Sequence, residues 1–466
     1  MSEPLPEIPS PTDGIYFHAP DGKYWREVPS AGWAPFSQDN TKMYLRGKGL
    51  SDKAADKSSV TPLEVELLRL QEERSVMYAG PLAGHKAGLH RFNTLQALVT
   101  SSPIIIEPGP GDFPVIRALL ENMFADTPRQ LDFLLGWLKF GYEALRNATH
   151  RPGQVVAIAG EPNSGKSVLQ KLVFTPLFGG RYVNPYRYMM GKTEFNLDLA
   201  GAEHLMIEDA ASSTKIEHRR TFGAMAKQFT VNEGQSIHGK GVDAKSMNPL
   251  WRVSVTLNRE PENLCVLPPL DDSLADKFGL LMAEKKPMPM PVGTLDQRKL
   301  FRDAVAGELP AFARWLLEWA PPADMADDRF GVVAFHHPEI LAALNANAPE
   351  VKLLALIDAD EHLLKDENGK WVLDRTCSSE EVEQTLVEGR GRFSAMRLFH
   401  WQGACGSYLG KLAASSLYSH RVKGNGHGLA RTWTLYPPEA GNEAERKRRD
   451  RLRASAAGST RQDLRS

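Results

Sequence analysis

Residues 160–167 read Gly160-Glu161-Pro162-Asn163-Ser164-Gly165-Lys166-Ser167, the spacing G-x-x-x-x-G-K-S. The chemistry of that pattern is the cradling of phosphates. Its glycines let backbone N–H groups turn inward around anionic oxygens. Lys166 has the reach to meet β- and γ-phosphates, and the Ser167 hydroxyl suits Mg²⁺. Val168 follows in a helical stretch, SVLQKLVF, whose positive end would face the anion. An apolar run, VVAIA, precedes the loop. This strand–loop–helix frame separates the motif from a chance match in a glycine-rich turn.

Two further runs end in polar residues. HLMIEDA, at 204–210, places Glu208 and Asp209 at the close of an apolar strand. Adjacent carboxylates there suit a hydrated metal and a water nucleophile, one acid holding the metal and the other orienting or deprotonating the water. The order is Glu-Asp rather than the commoner Asp-Glu, so the division of roles stays open. WRVSVTLN, at 251–258, ends in Asn258. An amide at a strand tip beside a phosphate loop can hydrogen-bond a γ-phosphate or an attacking water; elsewhere such an Asn is an ordinary turn residue. Between the two lies KQFTVNEGQSIHGKGVDAKSM, in which Gly234, Gly239 and Gly241 predict a β-hairpin with His238, Lys240 and Lys245 near its tip.

The order of phosphate loop, acidic strand, basic hairpin and Asn-ended strand, within about a hundred residues, resembles the superfamily 3 helicases. It is most similar to the helicase half of phage and plasmid primase–helicases, the poxvirus-type replicative ATPases, over about residues 80–320. The resemblance implies an α/β fold with a modified AAA+ P-loop ATPase core, ATP and Mg²⁺ as cofactors, and a hexameric homo-oligomeric ring that hydrolyses ATP between subunits and tracks along single-stranded DNA. Carried onto this chain, it makes Lys166, Glu208, Asp209 and Asn258 catalytic, residues 160–168 nucleotide-binding, and Ser167, Glu208 and Asp209 metal-binding. His238, Lys240 and Lys245 become the DNA-contacting residues. One departure stands out. The family has an arginine that acts on the neighbouring subunit's ATP near the position of Lys277, and a lysine offers no bidentate fork. Arg252, Arg259 and Lys277 are the candidates for that trans role.

The elements that position these residues follow from pattern. Residues 1–13 are expected to be disordered. Residues 14–110 form an N-terminal α+β region: alternating aromatics from Gly14 to about Arg46 predict a β-rich unit, Thr61 and Glu64 a capping box, and LQALVT and PIIIEP two strands. Helices at about 113–124 and 128–146 make a helical collar over 111–150. Apolar runs alternating with helices over 151–295 predict a largely parallel sheet. A helical extension covers 296–330. Residues 331–438 read as a winged-helix-like domain, with Lys411 on its helix and Arg421, Lys423, His427 and Arg431 on its wing, suited either to a DNA backbone or to protein contacts. Residues 439–466 are a basic tail, expected to be disordered.

The remaining properties exclude more than they assign. The 466 residues are 42% apolar and 24% charged, with a net charge of −1, an ordinary globular balance. Cys265, Cys377 and Cys405 include no C-x-x-C pair, which argues against a structural zinc site or a disulfide framework. His85, Lys86 and His90 have no acidic or cysteine partner nearby and read as structural. No run of eighteen apolar residues occurs, the N-terminus lacks a secretory pattern, and no membrane partner is expected. The chain is expected in the cytoplasm of a bacterial host, encoded by a phage or mobile element. No paired-aspartate strand marks a primase, so a separate primase or polymerase is an expected partner. Two other functions fit parts of the pattern: an ATP-assembled DNA-binding initiator or scaffold with weak or no unwinding, and a small-molecule kinase.

Overall fold

A computed structural model of the chain describes residues 14–54, 56, 59–208, 216–346, 348–415, 417–426 and 431–438. The fold is mixed α/β, and the chain divides into two units: residues 1–268 with 274–340, and residues 269–273 with 341–466.

In the first unit, three antiparallel strands, Ile15–His18, Lys23–Val28 and Gly32–Phe36, are joined by Ser75–Val76 running parallel to the first. Ile15 and Tyr24 are buried with Leu45, Leu63, Leu67 and Leu70 of two helices. The β-rich expectation for this stretch holds only to Phe36. Ser37 then accepts a hydrogen bond from the Asn40 amide at 3.2 Å and starts the helix Gln38–Gly47, which buries Thr41 and Leu45 one turn apart. The capping box at Thr61 and Glu64 forms and opens the helix Pro62–Glu73. LQALV is a strand, but PIIIEP joins no sheet. Prolines bound it at both ends and remove donors, the Ile104 amide is spent on the Gly179 carbonyl at 3.0 Å, and Ile105 and Ile106 pack as a strap on the core.

The central sheet has five strands, all parallel. Counted along the chain they are Val155–Gly160, Tyr182–Val183, His204–Glu208, Arg252–Asn258 and Phe278–Ala283, and across the sheet they run fifth, first, fourth, third, second. Every residue from Val155 to Gly160, and every residue from Arg252 to Leu257, is buried, as a sheet covered on both faces requires. The helices Pro114–Met123, Pro128–Arg146 and Leu295–Glu318 share one hydrophobic core with the phosphate-loop strand and the helix after it, through Leu120, Phe133, Trp137, Ile158, Phe174 and Phe312.

The second unit packs the helices Pro349–Ala359, Ser379–Glu388, Arg392–Leu398 and Ala404–Ala414 against a three-stranded antiparallel sheet in which Thr432–Leu435 lies between Arg375–Cys377 and Val422–Asn425. Leu353, Ile357, Leu386, Tyr408, Leu409 and Trp433 fill its core. Among the described residues, no single helix is long and apolar enough to cross a membrane.

Candidate active site

The parallel register brings three strand tips together. Gly160, where the phosphate loop begins, is paired with Asn258, and on the other side of that strand Glu208 is paired with Thr256. The loop itself needs glycine at two places. A Cβ on Gly160 would lie 2.5 Å from the Ala283 carbonyl oxygen, and Gly165 has φ +91°, the left-handed region that favours glycine. Asn163, with φ 64°, is a residue type that tolerates that region. Lys166 is buried, and its ammonium donates to the carbonyls of Gly160 (3.0 Å) and Glu161 (2.8 Å) and to Ser164 Oγ (3.2 Å). It is thus folded back onto the rim of its own loop. Pro162 and Asn163 are exposed, and Ser167 and Val168 are half-buried behind them.

Glu208 is half-buried at its strand end and pairs with Lys171 at 2.9 Å. Asp209 lies outside the described residues. Arg259 follows Asn258 and pairs with Glu161 at 3.0 Å, so the first variable position of the phosphate loop is held by the strand beside it.

Beneath these tips runs a buried chain of side chains that sequence reading did not single out. Thr256 Oγ1 donates to Gln170 Oε1 at 3.1 Å, and Gln170 Nε2 donates to Ser254 Oγ at 2.7 Å. The Ser254 hydroxyl is then left to donate to His204 Nε2 at 2.6 Å, and His204 Nδ1–H to donate to Thr175 Oγ1 at 2.7 Å. All donors point one way only if the imidazole is neutral. Burial supplies that condition by pushing the His204 pKa down to about 3. The chain joins the helix after the phosphate loop to the strands that carry Glu208 and Asn258. A visible signal existed: Ser254 and Thr256 are polar residues two apart on an otherwise apolar strand, hence on one face.

Gln170 enters this chain from a wide turn. Residues Gln170–Phe174 are π-helical, with the Thr175 amide bonded to the Gln170 carbonyl, between the α-helical turns Lys166–Leu169 and Thr175–Leu177. Pro176 has no N–H to give and would clash with the carbonyl four residues back; the widened turn relieves both demands.

The predicted hairpin forms from Gln235–Gly239 and Val242–Met247, with Lys240 and Gly241 at the turn. Lys240 is exposed there. His238 is half-buried, its ring centroid 5.1 Å from that of Phe195. Asn196 clamps the hairpin, accepting from the His238 amide at 2.7 Å and donating to the Ser236 carbonyl at 2.8 Å. Lys245 corrects the expectation. It alternates inward with Met247, is buried, and gives its ammonium to the Asp243 carbonyl at 3.2 Å. Phe195, missed in the sequence, stands 39% exposed beside His238.

Two of the three cations considered for a trans role point inward. Arg252 is buried at the start of its strand, donating to the Trp251 carbonyl at 2.9 Å. Gly153 leaves room for its guanidinium, since a Cβ there would come within 2.7 Å of it. Burial, with Arg151 nearby, lowers its pKa to about 10. Lys277 is buried and pairs with Asp276 at 2.5 Å. Arg259 alone of the three is more than half exposed, and it is engaged with Glu161 of its own chain.

Elsewhere, His85 Nε2 meets the Asn248 carbonyl at 2.7 Å and His90 Nε2 the Lys86 carbonyl at 2.7 Å. No group of three metal-ligating side chains occurs among the described residues. In the second unit Arg421 is buried against Asp358. Lys411, Lys423 and Arg431 are exposed, Arg431 lying over the Trp433 ring at 4.3 Å. His427 lies outside the described residues. The three thiols are free and buried.

No family model and no curated protein matches the chain. Solved structures do. Two apo structures of the NrS-1 C-terminal region are similar at TM-score 0.53, with 12% and 13% identity, covering 91% of this chain and 97% of theirs. A structure described as the active helicase Cch of SCCmec type IV is similar at TM-score 0.32 and 11% identity, over 87% of this chain and 73% of that one, a level that carries no weight. The chain therefore shares an α/β fold with the NrS-1 C-terminal region.

Proposed function

We propose that this chain is an ATP hydrolase of the superfamily 3 helicase kind, working on single-stranded DNA as a ring of identical subunits in the replication of a phage or mobile element. The observation that carries the reading is the register of the three central strands, which sets the phosphate loop, Asn258 and Glu208 side by side at the carboxyl ends of the strands. The strand order supports an AAA+ core, and in this reading the helices Pro114–Met123 and Pro128–Arg146 are the collar and Leu295–Glu318 the helical extension.

The donor set at the site consists of hard oxygens, the Ser167 hydroxyl and the Glu208 carboxylate with Asp209 after it. That fits Mg²⁺, which takes one or two protein ligands and completes its shell with water and substrate phosphates. When bound, the ion would neutralise charge on the transferred phosphoryl group. In this reading Lys166 leaves its carbonyl partners for the β- and γ-phosphates. Glu208, released from Lys171, orients the attacking water. Asn258 holds the γ-phosphate or that water from the adjacent strand. Lys240 at the hairpin turn meets DNA phosphates, and the Phe195–His238 pair offers rings to bases. The experiment is ATP turnover with and without single-stranded DNA, in the parent chain and in Lys166→Ala. Turnover that rises with DNA and vanishes in the variant supports the reading; normal turnover in Lys166→Ala sinks it.

A second reading, an ATP-assembled initiator or scaffold with weak or no unwinding, is favoured by the inward Arg252 and Lys277. Strand displacement on a forked duplex separates the two: ATP-dependent oligomers that hydrolyse without displacing a strand support the scaffold.

A further inference from the structure

Residues 389–438 contain seven Lys and Arg and no Asp or Glu, in a chain whose net charge is −1. Much of that charge lies away from the wing that the sequence had suggested. The short helix Arg392–Leu398 sits between Ser379–Glu388 and Ala404–Ala414. It is anchored by Ala395, which is fully buried, and by Leu398 and Phe399, which pack on the core of the second unit.

Its outer face is unusual. Phe393 is 77% exposed, Met396 53% and, just beyond the helix, Trp401 42%. Phe393, Met396 and Arg397 are spaced three and four apart, hence on one face. Arg392 is exposed beside them, its guanidinium 5.8 Å from the Phe393 ring centroid. Trp401 rests edge-on against Tyr408, ring centroids 6.3 Å apart, which holds it in place. Arg390 pairs with Glu361 at 2.8 Å yet stays 88% exposed. Large apolar side chains left in water and rimmed by polar residues, here mostly arginines, mark an interaction surface.

We infer that this face, built from Arg390, Arg392, Phe393, Met396, Arg397 and Trp401, binds single-stranded DNA. Charge complementarity favours a polyanion, and separated, exposed aromatic rings favour unpaired bases, whose faces are open for stacking, over a duplex, whose bases are not. The arginines take the phosphates and Phe393 and Trp401 take bases. The inference deepens the reading of the chain as a DNA-acting protein but is independent of its ATP site.

The test is fluorescence anisotropy with labelled dT20, without nucleotide, on the full chain carrying Lys240→Ala so that the hairpin contributes least. Phe393→Ala and Trp401→Ala, both at exposed positions, are expected to weaken binding about tenfold each. Arg392→Ala with Arg397→Ala is expected to lower the slope of log affinity against log salt by about 1.4. The far-ultraviolet spectrum of each variant should match its parent. Unchanged binding in the aromatic variants, or no binding by the Lys240→Ala chain, overturns the proposal. So does tighter binding to a 20-base-pair duplex or to rU20. Binding to phosphatidylserine vesicles that is lost in Phe393→Ala while dT20 binding is kept would assign the face to a membrane instead. ATP turnover is measured in parallel: loss of the proposed ATPase with dT20 binding kept would remove the ATPase reading and leave this one standing.

Discussion

Arg259 and Glu161 form an ion pair at 3.0 Å that ties the residue after the Asn258 strand to the phosphate loop. Both side chains are about half exposed, so the pair contributes little to stability, within about 0.5 kcal/mol. Its effect falls on the site. Glu161 places a carboxylate where phosphates must approach, and it occupies the one exposed cation of the three. Glu161→Gln should leave the melting temperature unchanged and lower KM for ATP about threefold; Arg259→Ala should raise it by a similar factor. Steady-state ATPase assays check both, and a KM unmoved in both variants would make the pair a surface ornament.

Glu208 is the carboxylate at the tip of the strand beside the Asn258 strand. Glu208→Gln keeps the shape and a hydrogen-bonding group but loses the charge. Turnover should drop by about 10²–10⁴, while a fluorescent ATP analogue still binds. Loss of binding together with turnover would instead make Glu208 a structural partner of Lys171.

The buried chain through Gln170 predicts a different pattern. Gln170→Met conserves volume but leaves the Ser254 and Thr256 hydroxyls short of a partner, which costs about 1–3 kcal/mol. Thr256→Val removes a single donor and should cost about 1 kcal/mol. Chemical denaturation measures these losses. Because the chain aligns the loop helix with both site strands, kcat should fall more than KM rises. A Gln170→Met protein as stable as the parent would show that the network is not closed in solution.

His204 links stability to pH. Its folded pKa, about 3, lies below the ordinary value of 6.5 because burial disfavours the cation. The unfolded chain therefore takes up a proton first as pH falls below about 6.5. Stability is full above that value and declines below it, by at most about 1.4 kcal/mol per pH unit for this one group, until pH reaches about 3. His85 and His150 are lowered by burial too and act in the same direction. Denaturation midpoints between pH 5 and 8 should show the decline, and His204→Gln should flatten it. A parent profile that is flat, or that falls toward high pH, would contradict the neutral imidazole.

The sequence carried the parts of the site that depend on local spacing. The phosphate loop, the acidic strand end, Asn258 and the hairpin each lie where a short pattern placed them, because a strand tip and a two-residue turn are decided by neighbouring residues. Burial was less legible. Arg252 and Lys245 look like surface cations in one dimension, and only the packing of Gly153 against Arg252, or the inward phase of Lys245 with Met247, shows otherwise. PIIIEP has the composition of a strand, yet its Ile104 amide finds its partner in the Gly179 carbonyl, about seventy-five residues away. The helix Arg392–Leu398 was missed because its outward face mixes Phe393 and Met396 with Arg392 and Arg397, which breaks the usual pattern of an amphipathic helix.

The wide turn at Gln170–Phe174 has a consequence for how this helix tolerates change in length. A π turn holds one residue more than an α turn, so the helix keeps the phase of an insertion. Deleting a single residue within it would let the ladder close as a regular α-helix with the turns on either side kept in phase, whereas the same loss from a regular α-helical stretch turns one end by about 100° relative to the other. Lys166 and Ser167 would then keep their setting relative to the core positions Phe174 and Leu177 that now seat the helix. In this segment a one-residue loss is therefore a change of length without a change of angle, and Pro176 stands where it would oppose that closure.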